Sequence, residues 1–214
     1  YIHIRTNQYK GNGFKRVFNI LQFFINTRKA AKKLIKQIGK PDIIYASSPT
    51  PTTAVLGIQL AKKLKIKNII EIRDLWPDSI VEFGVAGPNN ILVKILYLVE
   101  KYIYIKADKL IFTMAGGKDY ISSKKYKDKI DFSKIYNINN GVDIKEYDEN
   151  KNKYFIDDDN ELNDKSTFKL LYTGSIRKAY NVKQIAELAK KIQKNDFDKV
   201  RIFLYGNGDE KQDI

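Results

Sequence analysis

The chain has 214 residues, no cysteine and one histidine, His3, which excludes a disulfide scaffold, a thiolate metal site and a cysteine nucleophile and leaves too few imidazoles for a His-based triad or a zinc cluster. With 43% hydrophobic and 12% aromatic residues it can bury the core of one large domain or two small ones, so disorder is not its main state. Its net charge of +14 is uneven: residues 1–40 hold seven Lys, three Arg and no acid, whereas the remainder balances 29 basic against 25 acidic residues. Residues 1–5 read as the end of a strand, followed by a loop with Gly11 and Gly13. Residues 14–38 predict a long helix, with Phe14, Val17, Phe18, Leu21, Phe24, Ile25, Leu34, Ile35 and Ile38 largely at spacings of three and four. Arg28, Lys29, Lys32, Lys33 and Lys36 crowd its second half, and Gly39-Lys40-Pro41 stops it. Short apolar strands and helices then alternate: a strand at 42–46, a helix at 51–64 opened by Pro51, a strand at 68–72, a helix at 89–106, a strand at 109–114, a helix at 116–125 and a strand at 134–138. Residues 148–165, with seven acids and little to bury, read as an acidic linker between a domain at 1–147 and a second one starting at 166. The alternation resumes with a strand at 168–173, a helix near 180–194 and a strand at 199–205. This order implies parallel βαβ units and hence doubly wound α/β sheets, the second represented only in part.

Ligands of open α/β sheets bind at the carboxyl ends of the strands, so the loops there are the candidate sites. Ser47-Ser48-Pro49-Thr50-Pro51 leads into a helix and is either a hydroxyl-lined ligand loop or an ordinary N-cap with local turns, the second being favoured for the loop taken alone. Arg73-Asp74-Leu75-Trp76-Pro77-Asp78-Ser79 is the most specific string, with the only Trp set among charged side chains. Asp74 is a candidate base or orienter of an acceptor hydroxyl, Asp78 reads as a helix cap, and Trp76 is either a stacking platform or a core residue. Asn139-Asn140-Gly141 needs be no more than a tight turn. Gly174-Ser175-Ile176-Arg177-Lys178, at a helix start, joins a glycine turn to two cations and suits a phosphate. Gly206-Asn207-Gly208 repeats the glycine turn after the next strand, and the pair points to a nucleotide-diphosphate pocket.

The strings ASSPTP at 46–51, RDLWPDS at 73–79, ADKLIFTMAGGKDYI at 107–121, INNGVD at 138–143, LLYTGSIRKAYN at 170–181 and FLYGNGDEK at 203–211 together resemble a GT-B glycosyltransferase of family 4, in the DLWP-containing subgroup that builds bacterial surface polysaccharides such as capsule and O-antigen. The resemblance covers essentially the whole chain and implies two Rossmann-like domains. It implies retaining, metal-independent transfer from a nucleotide-diphosphate sugar, with UDP as the expected nucleotide, to a lipid-linked or glycan acceptor. Gly174, Arg177, Lys178, Gly206 and Gly208 would then serve the donor, and Asp74, Arg73, Trp76, Ser47 and Ser48 the acceptor side. No metal and no cofactor beyond the donor substrate are expected.

Ser175 stands where many relatives carry Arg, and Asn139 where they usually carry Pro. The family's first strand and glycine loop, and a later glutamate-containing segment, are not found. With a start at Tyr1, this implies a piece of a longer protein that lacks turnover by itself. The helix at 14–38 is either a contact with the anionic inner face of the cytoplasmic membrane through Lys29, Lys32, Lys33 and Lys36, or a packing helix with a solvated lysine face. No apolar run is long enough to span a bilayer and no signal peptide is evident, so the expected location is cytoplasmic and peripheral to that membrane. A GT-B nucleotide-sugar 2-epimerase is the competing enzyme, though it would want an available His. A nucleic-acid module would spread its cations with aromatics over a sheet face, whereas here they concentrate in one helix, so nucleic acid is not the expected partner.

Overall fold

Four short strands, each returning through a helix, pair in parallel in the order in which the chain makes them: β1 (Ile43–Ser48), β2 (Lys67–Ile72), β3 (Lys109–Phe112) and β4 (Ile135–Asn137). The computed structural model describes residues 1–8, 14–48, 50–177 and 180–214. It divides them into two compact units, Tyr1–Gly141 and Val142–Ile214. Both are mixed α/β, and the first is of the Rossmann-like kind, a parallel sheet flanked by helices.

Alternation decides what each strand buries. Ala46, Ile70, Ile72, Leu110, Phe112 and Ile135 point to one side and lie in the core. There they meet Ala54, Ile58 and Ala61 of α2 (Pro51–Leu64), Ile103 and Tyr104 of α4 (Ile91–Lys106), and Ile121 of α5 (Gly117–Ser122). The short α3 (Asp78–Glu82) precedes α4. Close approach is bought with small residues. A Cβ on Gly57 would lie 2.7 Å from that of Ala46, so α2 rests directly on β1. A Cβ on Gly117 would lie 2.3 Å from the ring of Phe112.

The doubly wound expectation is not met by these four strands. They follow chain order without reversal, so the sheet has no switch point among the described residues. Right-handed crossovers in one direction put the connecting helices on one face, and α2 and α4 do pack on each other. On the opposite face Tyr45 and Tyr136 remain half exposed.

Helix α1 (Phe14–Ile38) has the predicted bounds and packs on α2. Its apolar residues divide between two sides. Phe24, Leu34 and Ile35 are half-buried, while Val17, Phe18, Leu21 and Ile25 face outward with 50–59% of their surface exposed. The exposed Arg28, Lys29, Lys32, Lys33 and Lys36 continue that outward side by helical spacing. The expected strand at 1–5 is absent: Asn26 Nδ2 donates to the Arg5 carbonyl at 2.8 Å and the Asn7 N–H to Gln22 Oε1 at 2.8 Å, so this segment pairs with helix side chains. The Gly11–Gly13 loop lies outside the described residues.

Other boundaries shift for local reasons. β1 runs through Ser47 and Ser48, expected in a loop, because parallel pairing continues to Glu71 and Ile72. α4 starts after Asn90, whose Oδ1 accepts the Leu92 N–H at 2.8 Å. α4 ends on Lys134, an 8% exposed side chain whose Nζ donates to the carbonyls of Ile105 at 3.0 Å and Ala107 at 2.8 Å.

In the second unit β5 (Phe168–Thr173) and β6 (Val200–Tyr205) pair in parallel, with α8 (Lys183–Lys194) between them in sequence. The stretch 148–165, read as a linker, lies within this unit and carries helical residues of α6 (Ile144–Lys153) and all of α7 (Asn160–Asn163). Within it Asp159 caps α7, and just before it Asp143 caps α6 by accepting the Glu146 N–H at 3.1 Å.

The Phe112 contact makes a sharp test. Gly117→Ala raises helix propensity yet forces a methyl into a ring with no exposed surface. It should lower unfolding free energy by about 1–3 kcal/mol in urea titration. Gly141→Ala, with nothing within 4 Å, should stay near the native value.

Candidate functional site

The carboxyl edge of the first sheet gathers the loops that follow β1, β2, β3 and β4. Ser48 is buried there, and its Oγ donates to the Glu71 carbonyl at 2.9 Å. Its hydroxyl joins two strands rather than facing a ligand. Ser47 is half-buried in the same strand. Thr50 is the N-cap of α2 but caps nothing with its side chain, which pairs with the Thr52 hydroxyl at 2.8 Å. Pro49 lies outside the described residues.

Arg73 and Asp74 are exposed immediately after β2. The Arg73 Nε stands 4.0 Å from Glu71 Oε1, and Glu71 also accepts the Tyr45 hydroxyl. That bond to a carboxylate, with burial, pushes the Tyr45 phenol up to about 12. Asp74 offers its carbonyl to the Trp76 N–H at 3.0 Å, and its carboxylate has no partner among the described residues. Leu75 leans on the core, Trp76 is half-buried, and Pro77, joined to it by a cis peptide, is fully buried. The loop is thus anchored by alternate apolar residues while Arg73 and Asp74 stay exposed.

Asp78 does not cap α3. It is the first residue of that helix, and its carboxylate accepts from the Tyr97 hydroxyl and from Lys124 Nζ at 3.1 Å. Lys124 also lies 3.3 Å from Glu100 Oε1, with its ammonium 4.0 Å from the Tyr120 ring centroid and 5.1 Å from that of Tyr97. Glu100, 3% exposed, accepts from the hydroxyls of Tyr120 and, at 2.7 Å, Tyr126. Two carboxylates therefore share one cation beside the RDLWPDS loop.

Burial lifts Glu100 above the ordinary carboxylate range despite these partners. For Asp78, burial raises the pKa but is outweighed by the bonds from Tyr97, Tyr120 and Lys124, and the net shift is downward. Tyr97 is pushed up to about 12, first by its bond to Asp78. Sequence reasoning missed this cluster. Its signal was a lone acid inside ILYLVEKYIYIK, on the same helical face as Val93, Ile103 and Tyr104, which are all buried.

A pocket of about 380 Å³ opens further along the edge, lined by Phe112, Gly116, Gly117, Lys118, Asp119 and Asn137 among others. None of the sequence-predicted site residues lines it. Among the described residues no group of three or more Asp, Glu or His side chains could hold a metal ion.

In the second unit the loops after β5 and β6 run side by side. The Gly174 N–H donates to the Tyr205 carbonyl at 2.9 Å, the Ile176 N–H to Asn207 at 3.0 Å, and the Glu210 N–H to Ile176 at 3.2 Å. A Cβ on Gly206 would come within 1.9 Å of the Gly174 oxygen, and one on Gly208 within 1.9 Å of the Ile176 oxygen. Both glycines are required by the neighbouring backbone, a reason independent of any ligand. Gly174 is less constrained: its added Cβ would meet only the hydroxyl end of Tyr172, at 3.2 Å. Arg177 is exposed and makes no ion pair among the described residues, and Lys178 lies outside them.

Compared with known proteins, the chain matches no family model and no curated protein.

The two carboxylates of the cluster predict opposite pH signatures. Asp78, lowered on folding, contributes stability above the ordinary carboxylate range that is lost as pH falls through its folded pKa. Glu100, raised, disfavours the fold once it ionises. In denaturation from pH 3 to 8, the penalty of Asp78→Asn should therefore grow with pH, while Glu100→Gln should improve relative to the native chain over the same range. Parallel curves for the two variants would contradict the assignment.

Proposed function

We propose that the chain is part of a GT-B glycosyltransferase of family 4, moving sugar from a nucleotide-diphosphate donor to a lipid-linked or glycan acceptor in surface-polysaccharide synthesis. One observation carries the reading: the strings on which the resemblance rests fall at carboxyl ends of parallel strands, RDLWPDS after β2, GSIRK after β5 and GNGDE after β6. These are the positions where α/β sheets hold ligands.

In this reading the second unit takes the donor. Breaking the sugar–phosphate bond leaves negative charge on the diphosphate. Arg177 and Lys178 supply positive charge to it as it develops, and the paired glycine turns lead directly to Arg177. Gly206 and Gly208 contribute by letting the two loops lie against each other. The first unit takes the acceptor beside Trp76, with the exposed Arg73 and Asp74 meeting its hydroxyls and phosphates. Asp74 is the candidate for orienting the attacking hydroxyl.

A membrane-borne acceptor has a matching surface in α1. Its outward side runs from Val17, Phe18, Leu21 and Ile25 to Arg28, Lys29, Lys32, Lys33 and Lys36. Each cation near an anionic leaflet contributes about 1 kcal/mol, and the apolar turns can enter the headgroup boundary. No helix among the described residues is long and apolar enough to cross a membrane, so contact in this reading is peripheral.

The test is sugar transfer by the longest natural chain containing this sequence, from a panel of nucleotide sugars to a polyprenyl-diphosphate sugar in anionic vesicles. Lys178→Ala should reduce kcat by about 10²–10³-fold, the scale of losing one preorganised charge stabiliser. Undiminished transfer by that variant would refute the phosphate assignment. Absence of transfer with every donor would refute the reading itself.

A further inference from the structure

We propose that Lys124 is a positioning residue for the Arg73–Ser79 loop, holding it against α4 and α5 through a shared pair of carboxylates. Three elements meet at its ammonium. Asp78, near the end of the loop, begins α3, Glu100 comes from the middle of α4, and Lys124 follows α5 with Tyr120 beneath it. Among the described residues Lys124 is the one cation that contacts either acid.

The geometry is not that of an exposed ion pair. The Lys124 side chain is 13% exposed and that of Glu100 2%. The ammonium is enclosed by the rings of Tyr97 and Tyr120, whose hydroxyls bond the same two acids. The remaining charged and titratable groups facing the cluster are Glu82 on α3, Lys101 and Tyr104 on α4, and Tyr126 after α5. A buried pair of this kind is a poor way to gain stability, since apolar side chains of equal volume do as well. It is a good way to fix a geometry, because moving any member leaves a charge without its partner.

The loop has few other ties. Leu75 and Pro77 pack inward, while Arg73 and Asp74 are exposed and Trp76 is half-buried. The bonds to the Asp78 carboxylate from Lys124 and from the Tyr97 hydroxyl are thus the side-chain polar fastenings nearest to Trp76, two residues away. Its proposed consequence for acceptor binding rests on the sugar-transfer reading; its effect on the loop does not.

Trp76 is the chain's only tryptophan, so its fluorescence reports the loop alone. Acrylamide quenching should be measured on the native chain, Lys124→Met, Asp78→Asn and Glu100→Gln, with far-UV circular dichroism to confirm folding. Lys124→Met and Asp78→Asn should each raise the quenching constant about twofold and shift emission to the red, as local opening exposes the indole. Glu100→Gln keeps the bond between Lys124 and Asp78 and should raise the constant less than either. Asp78→Asn is the decisive variant if Lys124→Met fails to fold. Native quenching in folded Asp78→Asn, or an equal rise in Glu100→Gln, would overturn the proposal. In a transfer assay Lys124→Met should raise the acceptor KM several-fold with the donor KM unchanged. An inactive native enzyme would count against the transferase reading and leave the fluorescence result standing.

Discussion

The first unit depends on one constraint, the parallel register that puts Ala46, Ile70, Ile72, Leu110, Phe112 and Ile135 on the same side of the sheet. A slip of one residue in any pair would turn that strand's apolar set outward. Because register is held by burial, the strand ends are held too, and the loops leaving them start from defined points. Helices can cover this layer closely because Gly57 and Gly117 carry no Cβ. The loop geometry at the carboxyl edge is therefore a consequence of core packing.

On that frame sits a polar cluster that hydrophobic packing does not require. Glu100 lies in a helix otherwise apolar toward the core, and its burial is offset by two phenol hydroxyls and one ammonium. Lys134 presents a second buried cation with a different task, closing the carboxyl end of α4 through two carbonyls. The contrast separates two uses of a buried lysine: one completes backbone hydrogen bonding, the other ties side chains from three elements. Only the second touches the most distinctive string in the sequence.

Much of the fold was legible because the signals were local. Pro51 at a helix start and the runs NIIEI and FKLLYT located α2, β2 and β5 closely. The failures share a different cause, dependence on distant partners. YIHIR has strand-like composition, but its described polar contacts are with α1. The acids of 148–165 read as a linker, yet Asp159 among them caps α7 and the stretch begins inside α6. Asp78 resembles a cap in sequence but turns to Tyr97 and Lys124, and the latter is 46 residues away along the chain. The glycines at 206 and 208 also have a reason the sequence hides, the close approach of the neighbouring backbone. Likewise α1 was legible as amphipathic, but which apolar residues it turns outward depends on its packing partners.

The functional reading turns on whether the two adjoining turns after β5 and β6 receive a nucleotide diphosphate. Hydrogen–deuterium exchange on the longest natural chain, with and without saturating UDP, addresses this without requiring turnover. Slowed exchange concentrated at 174–177 and 206–210 is the predicted result. Slowed exchange confined to other segments, with these two turns unchanged under saturation, would contradict the account.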